Sequence, residues 1–441
     1  QRLSVSFSGA ASFSARAASR MSVASFAIGG ELGEGLVEEA MRAEDAAGLP
    51  AASSGLTFVE TVANFVIGLV GAGVLVLPKM MADVGYGIAV ALLVVAALAV
   101  CQCALMIIPC CEAAESCSGC SLASYEALAS AALGDKGSIA LTVTKNCYML
   151  GVIIVYALLV VDGLGTWVPL DSSMLRWCVV LPVFVVLAML KDLKQIARLA
   201  PVGICAAFVQ AGSIVVGAFV HMVGGHQSPK LVAVHDDLTV LSLGSAAATA
   251  IFGFGSIVCT VPAVRAQMAR REQLAAAVRW SLVIVWIIYL SVMGIGYASF
   301  GAGVADNVLG SITSDCSGFQ CMCGSAAALA IIINLLVSMP SIAFFVISVI
   351  EASGSGPLFT PLTAPNTTLR ASLIVSIVAI SSTLPFVKQV IGLISASFGC
   401  INAFVYPLML YYSLKRVRPE MLASGPLVSL AHILVVGVGA V

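Results

Sequence analysis

Long apolar stretches recur along the chain from residue 57 onward, separated by short polar loops. Most of them reach or approach the roughly 20 residues that an α-helix needs to cross the hydrocarbon core of a bilayer. This pattern predicts an all-α polytopic membrane protein with about eleven transmembrane helices. The predicted segments are 57–84, 87–111, 138–162, 174–190, 196–222, 241–263, 278–300, 325–350, 370–386, 389–412 and 426–441.

The two ends of the chain depart from this pattern. Residues 1–55 are rich in Ser, Ala, Gly and acidic residues, and we expect a disordered cytosolic tail ahead of a membrane domain over residues 56–441. The Arg- and Ser-rich start also has some character of a transit peptide, but the acidic stretch 31–45 favours a tail. Segment 426–441 is shorter than a full crossing, so we interpret it as a truncated last helix.

Composition supports a membrane protein and excludes several other classes. The chain is 60% hydrophobic and 10% charged, whereas soluble domains carry about 25% charged residues. A net charge of -1 gives no basis for nucleic-acid binding. No nucleophile–base pair, metal-ligand cluster or phosphate loop has a usable spacing, so we expect neither an enzyme nor a metal or cofactor site. Most of the 14 cysteines lie inside apolar segments, where cysteine packs as a small apolar side chain.

Basic residues are distributed unequally between the loops on the two sides of the membrane. A cytosolic N-terminus is predicted, because the loops on that side then hold most of the Lys and Arg residues. These cytosolic residues are Lys191, Lys194, Arg198, Arg265, Arg270, Arg271, Arg279, Arg370, Lys415, Arg416 and Arg418, and the opposite side keeps Arg176, Lys230 and Lys388.

This orientation changes how three short motifs are interpreted. Asn366 starts a glycosylation sequence, but its loop is cytosolic, so we expect no glycan. Cys117 and Cys120 also lie in a cytosolic loop and lack a second ligand pair, which makes zinc binding a weak alternative. Three cysteines on the opposite side could form a disulfide, with the pairing left open: Cys316, Cys321 and Cys323.

Segment one carries glycines where a membrane helix would normally protect its backbone. Gly68, Gly71 and Gly73 lie in its middle, and Pro78 follows. Glycine lowers helix stability by about 1 kcal/mol relative to alanine, and backbone groups freed in hydrocarbon need other partners. Secondary transporters use such interrupted helices to build substrate sites. The first functional interpretation is therefore a solute transporter.

Five short stretches of the membrane domain carry a family resemblance. They are Gly71-Ala72-Gly73 with Pro78 and Asp83-Val-Gly-Tyr-Gly87; Ser124-Tyr-Glu-Ala-Leu as far as Gly137; Phe252-Gly-Phe-Gly-Ser with Pro262, Gln267 and Met268; Gly294-Ile-Gly-Tyr as far as Gly301, with Asp306-Asn-Val-Leu309; and Pro340, Phe344-Phe345 and Tyr406-Pro407. In this order, over about residues 57–412, they resemble the amino acid/auxin permease family of the amino acid–polyamine–organocation superfamily.

The resemblance implies a LeuT-type fold, with two five-helix inverted repeats and with helices 1 and 6 unwound at the midplane. It also implies a secondary active transporter that moves amino acids, with neutral ones expected, by alternating access. Members commonly couple transport to protons or sodium, and we expect a plasma membrane or a vacuolar or lysosomal membrane. The expected partners are an amino acid and the lipid bilayer, and the chain is expected to act as a monomer.

The two breaks together suggest a receptor for a zwitterion. A break at Gly71, Ala72 and Gly73 exposes N–H groups at the start of a half-helix, where the helix dipole favours a carboxylate. A break in segment six exposes carbonyl oxygens that suit an ammonium group. The residues predicted to line that part are Phe252, Gly253, Phe254 and Ser256. The alternative is that the glycines only allow close helix packing, although their clustered spacing does not follow one helix face.

Other polar residues in the apolar segments have less defined roles. Lys145 is expected to extend toward the cytosolic face, in preference to a coupling role. His221, at the end of segment five, is expected to be an interface residue rather than a proton relay. The candidates for the transport pathway or for coupling, which could instead bridge helices by hydrogen bonds, are Asn146, Tyr148, Asn334 and Ser338.

The chain departs from the resemblance where the coupling ion would bind. Sodium-coupled members tend to have Asn four residues before the first glycine of the break, where this chain has Ile67, which cannot ligate a hard cation. Proton coupling or facilitated exchange is therefore favoured over sodium, for which Ser338 would supply a single oxygen. Members of the family usually have an acidic residue just before the methionine that is Met268 here, and this chain has Gln267. An inner gate built on that acid would lose its charge, and Arg265 would then pair with another group.

Two other functions remain open at this point. A carrier of another small amine or an auxin-like solute would differ only in the side chains of its pocket. A nutrient-sensing transceptor would report ligand occupancy through the serine-containing tail. Deletion of the tail distinguishes a transceptor from a carrier, because a carrier without its tail should still transport.

Overall fold

The computed structural model of the protein describes most of the membrane domain. The described residues are 56–118, 122, 124–190, 193–224, 230–235, 238–314, 318–352, 356–358, 360, 363–384 and 387–422. The expected tail, residues 1–55, and the expected truncated helix, residues 426–441, lie outside them, so both stay predictions. Within the described residues the elements are helices, and the β-structure amounts to one isolated bridge between Leu56 and Met268.

The first half of the described chain holds the helices of segments one to five. They are α1 (Phe58–Leu69), α2 (Leu77–Val84), α3 (Tyr86–Ser118), α4 (Tyr125–Gly165), α5 (Ser172–Leu175), α6 (Leu181–Ala188) and α7 (Leu193–Val223). A 3-10 turn, Ala72–Val76, joins α1 to α2, and a π-helical turn, Arg176–Val180, joins α5 to α6.

The second half holds the helices of segments six to ten. They are α8 (Val240–Phe254), α9 (Ser256–Gln267), α10 (Leu274–Phe300), α11 (Val308–Ser314), α12 (Phe319–Ala352), α13 (Ala364–Thr383), α14 (Val387–Ile394) and α15 (Tyr406–Val417). Two π-helical turns, Ser395–Gly399 and Ile401–Val405, lie between α14 and α15.

Among the described helices, 7 are long and apolar enough to cross a membrane, with α8–α9 and α14–α15 each taken as one helix. The bent pair α1–α2 brings the number to 8. The stretch Ser172–Ala188 is shorter, and α13 carries Asn366, Arg370 and many hydroxyl groups. The chain is therefore an integral membrane protein built of helices, as expected. The count of about eleven crossings stays a prediction.

Local sequence determines where α1 begins and how the chain turns after α2. The Thr57 N–H donates to the Glu60 carboxylate (2.8 Å), and the Glu60 N–H donates to the Thr57 hydroxyl (3.3 Å), which forms a capping box. Gly85 has a φ of 91°, and a Cβ there would lie 2.5 Å from the Ala233 carbonyl oxygen. Conformation and contact together exclude a side chain at this turn.

A glycine also divides α4 into two parts. Gly134 has a φ of 72°, and it separates a short first part, which holds Glu126, from the long part that crosses the membrane. The Ser138 hydroxyl donates to the Glu126 carbonyl oxygen (3.2 Å). The short part therefore folds back beside the beginning of the long one.

The broken segment one lies among the other helices rather than at their edge. α10 packs against α1, α2 and α3, α8 packs against α2, α3 and α14, and α12 packs along α4 and α7. Side chains at the centre, such as Phe254 and Tyr289, are fully buried. We call the side of the membrane that holds Leu56 and Met268 the N-terminal side.

Candidate functional site

Segment one is unwound between α1 and α2, as expected. α1 ends at Leu69, and the backbone leaves helical geometry at Val70 (φ -76°, ψ 81°) and Gly71 (φ -129°, ψ -130°). A 3-10 turn begins at Ala72, and the two halves of the segment are bent by 48°. The break frees carbonyl oxygens at the end of α1 and N–H groups at the start of the following turn.

Four consecutive carbonyl oxygens at this break each accept a hydrogen bond from a side chain on a different helix. The donors are on α9, α10, α12 and α7, and an unpartnered carbonyl in a membrane would cost several kcal/mol. The bonds run from Ser256 Oγ to Gly68 O (3.2 Å), from Tyr289 Oη to Leu69 O (2.6 Å), from Asn334 Nδ2 to Val70 O (3.0 Å) and from Gln210 Nε2 to Gly71 O (3.4 Å). The unwound backbone is thus held by the protein itself.

Segment six is interrupted far less than segment one, so the expectation of an unwound helix 6 is corrected to a break of one residue. Gly255 alone separates α8 from α9, and it keeps helical dihedral angles (φ -63°, ψ -26°). Its N–H still donates to the Ile251 carbonyl oxygen at 2.7 Å. The Gly253 carbonyl oxygen lies 3.0 Å from the Tyr289 hydroxyl. Of the carbonyl oxygens expected to receive an ammonium group, that of Gly253 shares the Tyr289 hydroxyl with Leu69 O.

Two of the predicted site glycines lie where segments one and six touch. A Cβ on Gly73 would meet Gly253 Cα and Phe252 Cδ1, each at 3.3 Å. A Cβ on Gly253 would lie 2.6 Å from the ring of Tyr289. Close packing therefore accounts for the absence of side chains at Gly73 and Gly253.

Gly71 faces a more open position. A Cβ there would meet the Tyr156 hydroxyl at 3.7 Å, which is an ordinary contact distance. Gly71 is half-buried, whereas Ala72 is buried. The N–H groups of Ala72 and Gly73 stand at the beginning of a helical turn, where no earlier carbonyl of that turn can accept them. The space for a ligand is therefore on the side of Gly71 and Tyr156.

The two predicted aromatic residues have different surroundings. The Phe252 ring lies edge-on to Tyr148, with the centroids 6.2 Å apart. Phe254 is fully buried and packs against Tyr289, with the centroids 5.1 Å apart. A role in covering a ligand suits Phe252, because Phe254 is part of the packed interior.

Asn334 contacts the break directly, and Gln210 holds the Asn334 side chain in place. Asn334 Nδ2 lies 3.0 Å from Val70 O and 3.3 Å from Gln210 Oε1. Asn334 Oδ1 is buried, and in the described part of the chain it has no hydrogen-bond partner. This oxygen is an acceptor at the edge of the break.

The other predicted pathway residues lie around this centre. Tyr148 contacts Phe252, as described, and Asn146 lies two residues earlier with a buried Oδ1 that has no partner among the described residues. Ser338 is half-buried, one turn beyond Asn334 on α12. Ile67 faces the contact between α1 and α7, where a Cβ on Gly203 would meet its Cγ2 at 3.8 Å. The neighbourhood of Ile67 is apolar there, not a cluster of oxygen ligands.

Exposed positions follow one face of α1 and reach the break. Glu60, Asn64 and Gly68 are spaced four residues apart and are all exposed. On the adjacent α9, Thr260 is exposed and Ser256 is half-buried, and Ser256 is bonded to Gly68 O. Polar groups are costly against lipid and normally face a water-filled cavity. The two faces indicate a wet path from the N-terminal side to the break.

The ends of α1 and α9 are tied together on the N-terminal side. The Leu56 N–H donates to Gln267 O (2.9 Å), and the Ala269 N–H donates to Leu56 O (3.0 Å). Arg265, buried near the end of α9, pairs with Glu115 of α3 at 2.7 Å. Arg265 thus pairs with an acid outside its own segment, as expected from Gln267.

The opposite side of segment one is closed by other contacts. Asp83 at the end of α2 forms an ion pair with Lys388 of α14. Tyr86 and Gly87 donate backbone hydrogen bonds to the loop 230–235, at 3.0 and 2.9 Å. These contacts join α2 to α14 and cover the turn between α2 and α3.

Lys145 reaches Glu126 on the short part of α4 and forms an ion pair with it. Its ammonium group therefore contacts a carboxylate and does not extend into bulk water. His221 lies at the contact of α7 with α10, with its ring centroid 4.5 Å from that of Phe300.

The short motifs are placed as follows. Asn366 is fully buried and donates to the Glu351 carboxylate at 2.7 Å, so it is not available to a glycan in this fold. Cys321 is disulfide-bonded and Cys323 is a free thiol, which excludes a bond between these two. Cys316 and Cys120 lie outside the described residues.

Sequence reasoning missed three residues of the site. Gln210, Tyr156 and Tyr289 all stand inside apolar segments, and their polar groups were the available signal. A polar side chain in the middle of a membrane helix normally faces the protein interior and has a partner there.

Solved structures of a bacterial manganese transporter have a similar fold. A crystal structure of a single-substitution mutant of the Eremococcus coleocola manganese transporter matches with a TM-score of 0.54 and 15% identity, over 89% of this chain and 87% of that one. The complex of that transporter with an aromatic bis-isothiourea substituted compound matches with a TM-score of 0.52 and 16% identity, over 89% and 87%. At this identity the likeness concerns the fold alone.

Sequence comparison identifies the family. No curated protein matches the chain significantly. Residues 54–440 match the family described as transmembrane amino acid transporter protein. This range contains the whole described membrane domain, and the fold comparison agrees with it. The expected LeuT-type transporter architecture is thereby confirmed, and the chain belongs to the transmembrane amino acid transporter family.

Proposed function

We propose that the protein is a secondary active transporter that carries neutral amino acids by alternating access. The observation that carries this proposal is the asymmetry of the break in segment one. Its carbonyl oxygens from Gly68 to Gly71 are bonded by side chains, whereas the turn that begins at Ala72 has no side-chain cap for its N–H groups among the described residues. The start of a helical turn favours an anion, so the break suits the carboxylate of an amino acid.

The ammonium group of the substrate needs an acceptor close to that carboxylate. Gly255 keeps helical dihedral angles, so segment six frees fewer carbonyl oxygens for the ammonium group than the sequence suggested. Asn334 Oδ1 is buried beside the break without a partner in the described part of the chain. We assign the ammonium to this oxygen, since a buried acceptor gains most from a charged donor.

The side chains named around the break favour a neutral substrate. Those that contact it or each other are Tyr148, Tyr156, Gln210, Phe252, Ser256, Tyr289 and Asn334, and each of them is uncharged. A charged substrate side chain would be desolvated there without a counter-ion among these residues.

Access to the site changes sides during transport. The exposed faces of α1 and α9 supply a path on the N-terminal side, while the Asp83–Lys388 ion pair closes the other side. α1 and α9 are joined at both ends, by Ser256 with Gly68 and by Leu56 with Met268, so they move as one unit. The distribution of basic residues supports a cytosolic location for this side.

Proton coupling or facilitated exchange is favoured over sodium coupling. The surroundings of Ile67 are apolar, and Ser338 offers a single hydroxyl oxygen, whereas a hard cation takes about six oxygen ligands. Ile67 supplies none of them.

Uptake of labelled amino acids into proteoliposomes tests the proposal, with proton and sodium gradients imposed separately. Neutral amino acids are expected to enter, and accumulation is expected to follow the proton gradient or to stop at equilibration. Sodium-dependent accumulation would contradict the assignment of the ion. Absence of uptake of every amino acid by folded protein would contradict the carrier function.

A further inference from the structure

We propose that the side of the protein opposite the N-terminal side holds a second binding site for a neutral amino acid, between Asp162 of α4 and Arg176 at the end of α5. In this site the Arg176 guanidinium binds the carboxylate of the amino acid, and the Asp162 carboxylate binds its ammonium group. The inference rests on the proposed carrier function, because it assigns the same class of substrate to a second place on the molecule.

Arg176 is a buried cation that the described part of the protein does not neutralise. It is 8% exposed, and its Nε is buried without a hydrogen-bond partner among the described residues. The buried arginines Arg265 and Arg370, by contrast, pair with Glu115 and Glu351 at 2.7 and 2.8 Å. A guanidinium keeps its proton in proteins, and a buried charge is normally paired. The bare guanidinium of Arg176 therefore indicates a place for an anionic group.

Two carboxylates lie near Arg176, but each is bonded to another group. The turn that begins at Arg176 packs against α4, and the charges of Asp162 and Asp171 act on the guanidinium without a hydrogen bond to it. Asp171 Oδ2 accepts the Ser173 N–H at 3.0 Å and caps α5. Asp162 Oδ2 accepts a hydrogen bond from Asn307 Nδ2 at 3.4 Å. A cation and an anion thus stand close together without forming a pair.

Asp162 faces water and retains capacity for a ligand. It is exposed, whereas Val161 and Gly163 on either side of it in α4 are buried. Charged groups in membrane proteins face a water-filled space rather than lipid. A carboxylate can accept about four hydrogen bonds, and Asn307 is the one described side chain that donates to Asp162. An ammonium group can therefore bind to the remaining positions.

The proposed site lies beyond the break, on the route from the opposite side. Asp162 follows Tyr156 by six residues of α4, which is about 9 Å along the helix. Val308 begins α11 directly after the amide that bonds Asp162. A Cβ on Gly296 would meet both Pro78 of α2 and Val308, at 2.7 and 3.6 Å, so the start of α11 lies beside α2. An amino acid that arrives from the opposite side meets this site before it reaches the break.

The charges around the site favour a zwitterion over a simple ion. A simple anion at Arg176 would be repelled by the carboxylates of Asp162 and Asp171, and a simple cation at Asp162 would be repelled by Arg176. An amino acid with an uncharged side chain carries one group of each sign. The planar guanidinium also suits a carboxylate, because it donates two parallel hydrogen bonds to its two oxygens.

The phosphate of a lipid headgroup is the competing occupant of the Arg176 end. Large apolar side chains near it are exposed, among them Leu170, Met174 and Trp177, so this edge of the site borders lipid. A phosphate would satisfy the guanidinium, but it would bring negative charge toward Asp162 and leave that carboxylate without a cation. The amino acid serves both groups, and the experiment separates the two occupants.

Equilibrium binding to purified protein in phosphatidylcholine nanodiscs tests the inference, with labelled alanine, serine, leucine and glutamine used in turn. The stoichiometry at saturation is measured for wild type, Arg176→Gln, Asp162→Asn and Asn334→Asp. Lys230→Gln is the matched control, because Lys230 is an exposed basic residue of the same side. Melting temperatures show which variants fold, and amino-acid exchange in proteoliposomes is measured alongside.

Wild type and Lys230→Gln are expected to bind two molecules of a transported amino acid per chain. Arg176→Gln and Asp162→Asn are expected to bind one, at the break, and Asn334→Asp is expected to bind one at the new site. The double variant Arg176→Gln/Asn334→Asp is expected to bind none. If Arg176→Gln does not fold, Asp162→Asn takes its place in the double variant.

One molecule per wild-type chain, with exchange intact, would overturn the inference and leave the carrier function standing. Two molecules per chain in folded Arg176→Gln or Asp162→Asn would overturn it as well. The wild-type measurement is repeated in nanodiscs that contain phosphatidylglycerol. Loss of the second molecule there would assign Arg176 to a lipid phosphate and overturn the inference, whereas an unchanged stoichiometry supports it. Absence of both binding and exchange in folded wild type would instead contradict the proposed function.

Discussion

Tyr289 and Leu69 are 220 residues apart in the chain and are joined by a hydrogen bond of 2.6 Å from the tyrosine hydroxyl to the leucine carbonyl oxygen. The same hydroxyl lies 3.0 Å from Gly253 O, so it stands between the backbones of segments one and six. A hydroxyl has one proton to donate, and it serves one of the two carbonyl oxygens at a time. Tyr289 therefore links the two interrupted segments.

Tyr289→Phe is expected to destabilise the protein and to slow transport. The change leaves two buried carbonyl oxygens without this donor, and an unsatisfied buried acceptor costs about 1–3 kcal/mol. The measurements are the melting temperature of the purified protein and the rate of amino-acid exchange. Ser291→Ala on the same helix is the control, because in the described part of the chain Ser291 donates within α10, to Ile287 O. Equal melting temperatures and rates for Tyr289→Phe and wild type would show that the hydroxyl is dispensable.

Gly253→Ala is expected to disrupt the contact between segments six and seven. The new Cβ would lie 2.6 Å from the Tyr289 ring, so the ring must move away from Leu69 O. The expected result is a lower melting temperature and a loss of exchange. Gly294→Ala is the matched control on α10, because no atom of another described residue lies within 4 Å of its Cβ position. Replacing a helical glycine there is expected to leave stability unchanged or to raise it by about 0.5–1 kcal/mol. Similar behaviour of the two variants would contradict the packing described for Gly253.

Asn334→Asp is expected to abolish substrate binding at the break. A carboxylate has no N–H to donate, so it would face the Val70 carbonyl oxygen and Gln210 Oε1 without a bond to either. The measurement is binding of a labelled amino acid to purified protein. In a double-mutant cycle, Asn334→Ala and Gln210→Ala are expected to couple by about 0.5–3 kcal/mol in unfolding free energy, since the two amides are in contact. Strict additivity would mean that Gln210 does not hold Asn334.

Cysteines placed on the exposed faces of α1 and α9 are expected to react with a membrane-impermeant thiol reagent. Asn64→Cys and Thr260→Cys report on the two faces, and the rate is measured from the N-terminal side in oriented vesicles. Val74→Cys, at a fully buried position, is the control. Substrate is expected to alter the rates at the first two positions. Reaction rates as low as that of the control would indicate that these faces meet lipid, not water. The parent chain for this test lacks the exposed native thiols Cys117, Cys178 and Cys205.

Much of the architecture could be predicted from the sequence, because it follows from local patterns. The apolar stretch 87–111 lies inside α3, and the glycines around Gly71 mark the real break between α1 and α2. The predicted extent of the break in segment six was wrong, because Gly255 has helical dihedral angles. Glycine permits a break without requiring one, and the outcome depends on which partners the backbone finds.

The residues that hold the site could not be predicted, because they come from distant parts of the chain. Gln210 and Asn334 reach segment one across 139 and 264 residues. The sequence shows that each is polar within an apolar segment, but not which carbonyl oxygen it meets. The same holds for Lys145, whose partner Glu126 precedes it across the turn at Gly134.

Counterflow tests the central claim most directly, because it requires a site that faces each side of the membrane in turn. Proteoliposomes that hold purified protein and a high internal concentration of an unlabelled neutral amino acid are placed in a trace of the labelled compound, without ion gradients. The account predicts a transient accumulation of label above its external concentration, followed by decay, and no such overshoot with Asn334→Asp. Folded wild-type protein that gives no overshoot with any amino acid would contradict the claim that this chain carries amino acids by alternating access.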